Sequence, residues 1–407
     1  MNLYIFNETR RGAVYGIGTY IRELTSALKD SDINVYVVNL ISDKPQLQKD
    51  DIDGIRYWYF PSPIQEQWMT NKQRQKELYL RNVVYLLKLH IKDKKDLIFH
   101  LNFDLSIKLT DELKKKFDCK IIASVHYFDW GFTIFDNLPR LRNMLNERQL
   151  NSFDKNLKKN IEEEKSLYSK MDSIICLSNY MQDILCRDYG VDLSKIVVIP
   201  NGLTDAVETR HGVQHLRKRW NVPANEKIIL FAGRMDEIKG LIYVIRAFRE
   251  VLKSVSCCRL MIAGDGNYDT YLKESKDIYT KITFTGLLEK KNLYELYKIA
   301  DVGVIASLFE PFGYVAVEMM MHSLPIIATA TSGLNEVIDD SCGLKVPIIR
   351  HPDRIEIDTV LLAEKIIYML QHHIEAKKIG QNGRKKYLKK YSLETFRSNM
   401  LRLYKKT

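Results

Sequence analysis

The chain has 407 residues, 45% of them hydrophobic and 28% charged, the balance of a soluble globular protein with room for two domains of about 200 residues each. No run approaches the roughly 18 apolar residues that a membrane-spanning helix needs, and the basic residues follow the short apolar start MNLYIF, the reverse of a secretory signal. The net charge of +11 sits mostly in the tail: residues 1–200 hold 30 Lys and Arg against 27 Asp and Glu, whereas residues 371–407 hold 11 against 2.

In chain order, LYIF, INVYVVNL, DLIFHLN, KIIASVHY, SIICLS and IVVIP read as strands, and GTYIRELTSALKD has the period of a helix. The stretch from Trp58 to Asp96 differs, because NKQRQKELYLRNVVYLLKLHIKDKK is a basic amphipathic helix with Leu, Val and Tyr on one side. Core packing, an acceptor and a membrane surface are the three readings of that apolar side. Pro200-Asn201-Gly202 is a turn signal after IVVIP and marks the domain boundary. Beyond it, LRKRWNVP reads as the first helix of the second half. The strands KIILFAG, RLMIAG, ITFTG, VGVIAS and PIIATA then alternate with the helices LIYVIRAFREVL, NLYELYKIA and GYVAVEMMMHS. Continuous apolar strands alternating with helices predict an α/β protein of two Rossmann-like, doubly wound parallel-sheet domains.

The six cysteines, Cys119, Cys176, Cys186, Cys257, Cys258 and Cys342, form no CxxC pair and have no His at zinc spacing. They fit reduced thiols in a cytoplasmic protein. Asp339-Asp340 invites comparison with a metal-binding pair but reads as part of the turn before Ser341, Cys342 and Gly343, so no metal site is expected. The basic tail fits a solvated face, an anionic membrane surface or an acidic partner. No recognised motif supports nucleic acid as a partner.

Two stretches carry chemistry. Gly233-Arg234-Met235-Asp236-Glu237-Ile238-Lys239-Gly240 lies between the strand KIILFAG and the helix LIYVIRAFREVL, at the strand end where open α/β sheets hold ligands. Arg234 can grip phosphate oxygens with two parallel hydrogen bonds, and Lys239 adds a point charge. Glu310 to Glu318 reads EPFGYVAVE. A strand that ends in a Gly-containing turn and opens a helix presents unpaired backbone N–H groups to an anion. Two flanking carboxylates add acceptors for hydroxyl groups. Phosphate and hydroxyls together suit a nucleotide-sugar.

From Ile199 to Val337 the blocks IPNGL, FAGRMDEIKG, LMIAGDG, ITFTGLL, ADVGVIASLFEPFGYVAVEMMMHSLPIIAT and TSGLNEV follow one another. In these blocks the chain resembles the retaining glycosyltransferases of family 4, also called glycosyl transferases group 1; the first half resembles them only loosely. The resemblance implies the GT-B fold, two Rossmann-like domains facing across a cleft. Residues 1–200 would bind the acceptor and residues 201–383 the nucleotide-sugar, with residues 384–407 a helical segment crossing back to the first domain. The implied reaction is a retaining, metal-independent hexosyl transfer in glycan biosynthesis, with no cofactor. The donor would be a nucleotide-diphosphate-sugar such as a UDP- or GDP-sugar, and the acceptor a hydroxyl of a glycan, lipid or protein.

By position, the resemblance gives Arg234 and Lys239 to the donor diphosphate, Glu310 to the sugar hydroxyls and Glu318 to the ribose. The amides of Phe312, Gly313, Tyr314 and Val315 would approach the sugar and distal phosphate, and backbone groups around Leu287 would hold the base. Gly16 would let the first loop approach the phosphates, and His126 would stand near the reacting sugar. The catalytic set is then His126, Arg234, Lys239 and Glu310. Taken as residues alone, His126 also fits a core histidine and Gly16 a strand–helix turn. Glu318 also fits an exposed helix position, against which its apolar neighbours weigh. The family often has two glycines in the first loop where this chain has Tyr15 and Gly16. Ser323 stands where a helix-ending glycine is common; serine there costs little if its backbone is helical, and a different local backbone is the alternative.

Two other functions compete. A sugar-nucleotide epimerase would convert the donor with no acceptor present. A non-catalytic partner subunit would be expected to have damaged donor residues, whereas Arg234, Lys239, Glu310 and Glu318 are intact. The expected place is the cytoplasm, and the basic tail leaves peripheral contact with the inner face of an anionic membrane open.

Overall fold

The computed structural model describes residues 1–8, 16–63, 72–93, 95–102, 106–207, 212–352 and 354–407. The chain gathers into two compact units. One comprises Met1–His126, Arg148–Gly202 and Leu393–Thr407; the other comprises Tyr127–Glu147 and Leu203–Ser392. The turn at Pro200-Asn201-Gly202 therefore falls at a unit boundary, but Tyr127–Glu147, placed within the first domain by its position in the sequence, packs with the second. The tail divides at Ser392 rather than at residue 384.

In the first unit, β1 (Asn2–Glu8), β2 (Asn34–Ser42), β3 (Gln48–Ile52), β4 (Ile55–Pro61), β5 (Leu97–Leu101), β6 (Cys119–Val125), β7 (Ser173–Cys176) and β8 (Ile196–Val198) form one sheet. Its order is β3-β4-β2-β1-β5-β6-β7-β8. The central strands are buried on both faces, with Leu3, Tyr4, Ile5, Phe6 and the whole of β5 in the core. The apolar runs LYIF and DLIFHLN therefore lack polar alternation. β3 runs antiparallel to β4, so this otherwise parallel sheet carries one antiparallel edge strand. The cause is legible: Asp53 and Gly54 both have positive φ, the two-residue hairpin turn that an Asp-Gly pair favours.

The helix Lys72–His90 buries Leu80, Val83, Val84 and Leu87 and leaves Leu78, Tyr85 and Leu89 exposed. Core packing thus accounts for one of its two apolar stripes. The last helix, Leu393–Lys406, belongs to this unit and buries Phe396, Met400, Leu403 and Tyr404.

The second unit has β9 (Lys227–Ala232), β10 (Cys258–Ala263), β11 (Ile282–Gly286), β12 (Val302–Ile305), β13 (Ile326–Ala330), β14 (Gly343–Arg350) and β15 (Ile355–Ile357). Their order is β11-β10-β9-β12-β13-β14-β15, parallel except for β15. Counted from β9, the six parallel strands lie 3-2-1-4-5-6, the order of a dinucleotide-binding sheet. The order reverses between β9 and β12, so their carboxyl ends open a crevice. The helix Leu241–Ser254 buries Leu241, Val244, Ile245, Phe248 and Val251, a three-and-four spacing that faces the sheet.

Candidate functional site

The two stretches singled out by sequence lie at that reversal. The loop after β9 carries Arg234 and Lys239, and the loop after β12 carries Glu310. Backbone bonds lace the first loop to the one after β10: Gly233 N–H donates to Ala263 O at 2.9 Å, Met235 N–H to Asp265 O at 2.7 Å, and Asn267 N–H to Met235 O at 3.0 Å. Asp236 caps the short turn Glu237–Lys239, accepting from Lys239 N–H, and also pairs with Arg234 at 3.0 Å. Gly240 then turns the chain into its helix with φ +66°, and a Cβ there would stand 1.9 Å from Ala306 O. Only glycine fits both the backbone and the space.

Lys239 Nζ donates directly to Glu310 Oε2. The two side chains are 22% and 17% exposed, so a cation and a carboxylate meet partly desolvated. The Glu310 loop is fixed from below: Leu334 N–H donates to Glu310 O at 3.1 Å, and Ser307 Oγ lies 3.4 Å from Glu310 Oε2. Gly313, at φ +94°, opens the helix Tyr314–Met321 with no capping side chain. The first amides of that helix, from Tyr314 and Val315 onward, point to its uncapped amino end, where an anion would be favoured. Phe312 is buried, its ring 5.8 Å from that of Tyr391.

Glu318 lies further along the same helix, 1% exposed. Its Oε1 meets Lys290 Nζ, and its Oε2 accepts from Tyr297 Oη at 3.0 Å. The exposed-helix alternative is thereby removed. Lys290 opens the helix that follows the Leu287 loop, and Leu287 is 68% exposed.

Gly16 and His126 belong to the first unit. Gly16 is the first residue of the helix Gly16–Leu28; Tyr15 lies outside the described residues. His126 follows β6. Its Nε2 lies 3.0 Å from Asn102 Oδ1, and its ring meets Tyr20 edge-on at 4.7 Å. An amide oxygen accepts, so Nε2 is the donor and Nδ1 keeps the lone pair. Burial pulls the His126 pKa down to about 3, so the imidazole is neutral at ordinary pH. The partner of this buried histidine is thus a side-chain amide.

At Ser323 the backbone takes the alternative left open by the sequence. Its φ is +58°, left-handed rather than helical, so serine occupies a conformation that glycine would adopt without strain. Several residues around the site went unmarked by sequence: Lys290 and Tyr297 at Glu318, Asn102 at His126, and Ser332 and Asp136 behind Glu310. Each acts through a contact distant in sequence, and no local spacing announces it.

Comparison with known proteins agrees with this geometry. The model described as Glycosyl transferases group 1 matches residues 213–386, and that described as Glycosyltransferase Family 4 matches residues 14–207. A glycosyltransferase of Methanocaldococcus jannaschii, described as uncharacterized, is 30% identical over 239 residues, 57% of this chain and 59% of that protein. The alpha-monoglucosyldiacylglycerol synthase of Streptococcus pneumoniae is 33% identical over 178 residues, 42% of this chain and 40% of that one. The chain spans about half the length of the curated relatives it matches.

Among solved structures, sucrose-phosphate synthase of Thermosynechococcus elongatus aligns over 100% of this chain and 98% of its own, with a TM-score of 0.75 at 21% identity. Anabaena HepE in complex with UDP and glucose aligns over 100% and 99%, with a TM-score of 0.71 at 15% identity. The fold and the strand-reversal site define a class, the glycosyltransferases of GT-B fold. Within that class the chain belongs to family 4, the glycosyl transferases group 1.

Proposed function

We propose that the protein is a retaining glycosyltransferase that moves a sugar from a nucleotide-diphosphate-sugar to the hydroxyl of a glycan, lipid or protein acceptor. The observation that carries this reading is the Lys239–Glu310 contact at the reversal between β9 and β12. One partner is a cation suited to the departing diphosphate, and the other is an acceptor suited to sugar hydroxyls. Related folds have been solved with UDP and with UDP-glucose, which supports a UDP-sugar as the donor, with a GDP-sugar the other expected class.

In this reading the bond from the anomeric carbon to the diphosphate breaks, and negative charge grows on the leaving oxygen. Arg234, Lys239 and the helix terminus at Gly313 stabilise it, and the reading calls for no resident metal. The acceptor oxygen bonds to the anomeric carbon on the face the diphosphate leaves, and its proton passes to the leaving phosphate. Glu318 holds the ribose, exchanging part of its contact with Lys290 for a hydroxyl. In this reading His126 acts as a neutral imidazole.

A panel of nucleotide-sugars scored by thermal shift tests the reading, since a ligand at 100 times its dissociation constant stabilises by about 2.7 kcal/mol. A panel in which no nucleotide-sugar raises the melting temperature would remove it. Product stereochemistry by NMR then decides retention, and an inverted anomer would refute it. Conversion of the donor with no acceptor present would instead indicate an epimerase.

Among the described residues no helix is long and apolar enough to cross a membrane. The reading extends to peripheral contact between the exposed Lys385, Lys389 and Lys390 and an anionic lipid surface. Equal flotation with anionic and neutral vesicles would reject that extension.

A further inference from the structure

The segment Tyr127–Glu147 follows His126 directly in the chain yet packs within the second unit. Its Gly131 lies against Phe309, the residue before Glu310, so closely that a Cβ there would stand 2.4 Å from the ring. Phe132 meets the same ring edge-on at 5.1 Å. Beyond it, Phe135 and Asp136 both have positive φ, +51° and +59°. Asn137 donates to His351 O at 2.7 Å. The backbone conformation at two successive non-glycine residues is held against its own preference, as happens where the surroundings over-determine a position.

What the segment delivers is a carboxylate. Asp136 is completely buried. Its Oδ2 accepts from Ser332 Oγ at 2.8 Å, with Thr331 Oγ1 at 3.5 Å and Arg350 at 3.9 Å. Thr331 Oγ1 has one hydrogen and donates it to Leu308 O at 2.8 Å. Ser332 likewise spends its hydrogen on Asp136, which turns an oxygen lone pair toward Glu310 N–H, 3.5 Å away. Ser332 itself has φ +43°. A left-handed serine is less stable there than glycine would be, unless its hydroxyl is used.

We propose that Asp136 is a positioning residue for Glu310, acting through the Ser332 hydroxyl. It fixes the loop so that the Glu310 carboxylate meets the sugar of the donor rather than swinging toward the solvent side of Lys239. The proposal rests on reading Glu310 as the donor-sugar contact. Its signature is a loss of the affinity that the sugar adds, with the affinity for the bare nucleotide kept.

The test uses the full chain and two ligand pairs by calorimetry, UDP with UDP-glucose and GDP with GDP-mannose. Ser332→Gly removes the hydroxyl while easing the left-handed backbone, which offsets part of the cost of the lost hydrogen bond. In Ser332→Gly and Asp136→Ala the preference for the sugar donor over its diphosphate falls about tenfold or more, the loss of a buried hydrogen bond, while diphosphate affinity stays within about twofold. Asp136→Asn, whose amide oxygen still accepts from Ser332, keeps the preference within about threefold. An unchanged preference in Ser332→Gly overturns the proposal. Equal loss for both ligands overturns it as well, since a merely structural role would give that result. If the unmodified chain prefers neither sugar donor over its diphosphate, the donor reading falls, and this one with it.

Discussion

Lys239 and Glu310 lie 71 positions apart in the sequence and meet through Nζ and Oε2 at the point where the second sheet reverses its strand order. Neither is fully exposed, so each screens the other from an unfavourable solitary charge where water is partly excluded. Lys239→Ala removes the cation facing the diphosphate and leaves Glu310 unopposed. Turnover is expected to fall on the order of 100- to 1,000-fold, roughly 3–4 kcal/mol of transition-state stabilisation. Steady-state rates with the purified variant check this, and a near-normal rate would dismiss Lys239 from the chemistry.

Glu318 offers a different test, because its burial makes Lys290 structural as well as functional. Lys290→Met leaves a buried carboxylate whose Oε2 still accepts from Tyr297. The expected loss is about 1–3 kcal/mol, moderated because the lysine itself is half-exposed. In a domain of this size that is on the order of 2–12 °C in Tm. An unchanged melting curve would show that the carboxylate needs no cation.

Acid should unfold the first unit through His100. Both ring nitrogens are engaged, Nδ1 with Tyr404 Oη and Nε2 with Ser124 Oγ, each at 2.7 Å. Burial first, and then the nearby His126, bring its pKa down to about 3. The unfolded chain takes up this proton near pH 6.5, the folded one only near 3. The stabilisation is therefore complete above 6.5 and drains away as pH falls toward 3, at about 1.4 kcal/mol per pH unit. His100→Gln should flatten the pH dependence of urea unfolding by about one proton between pH 6 and 4. An equal slope in both proteins would place the acid sensitivity elsewhere.

Gly240→Ala should act on stability and site together. The left-handed backbone alone costs about 1–2 kcal/mol, and the added methyl must push Ala306 O away from 1.9 Å. The displacement carries Lys239, the preceding residue, off Glu310. Both the melting temperature and donor binding should drop; retention of both would mean that the loop relaxes freely.

Much of this was readable in advance where local pattern coincides with tertiary role. The apolar runs around KIILFAG and VGVIAS became adjacent parallel strands because both faces of such strands are buried, and the turns after them had nowhere to go but the crevice. The Asp53-Gly54 turn is local in the same way, a hairpin signal carried by two neighbouring residues. What stayed hidden depends on partners far along the chain. Nothing in the spacing around Glu318 shows that Lys290 covers it. Ser323 looks tolerable in sequence because side-chain chemistry does not reveal the sign of φ. Nothing local to Asp136 points to Ser332, 196 positions away.

The segment Tyr127–Glu147 also sets a timetable. Asp136 precedes Ser332 by 196 positions, so during synthesis it is made long before its partner. At about 5–20 residues per second the interval is roughly 10–40 s, during which Phe132, Phe135 and a carboxylate destined for burial have no permanent home. The second unit cannot close on its own contiguous stretch, residues 203–392, because Phe309, Ser332 and His351 would each lack the neighbour that this early piece supplies. Order of emergence and order of completion therefore run opposite ways in this protein, and a cut at Gly202 would divide the chain without dividing it into two self-sufficient halves.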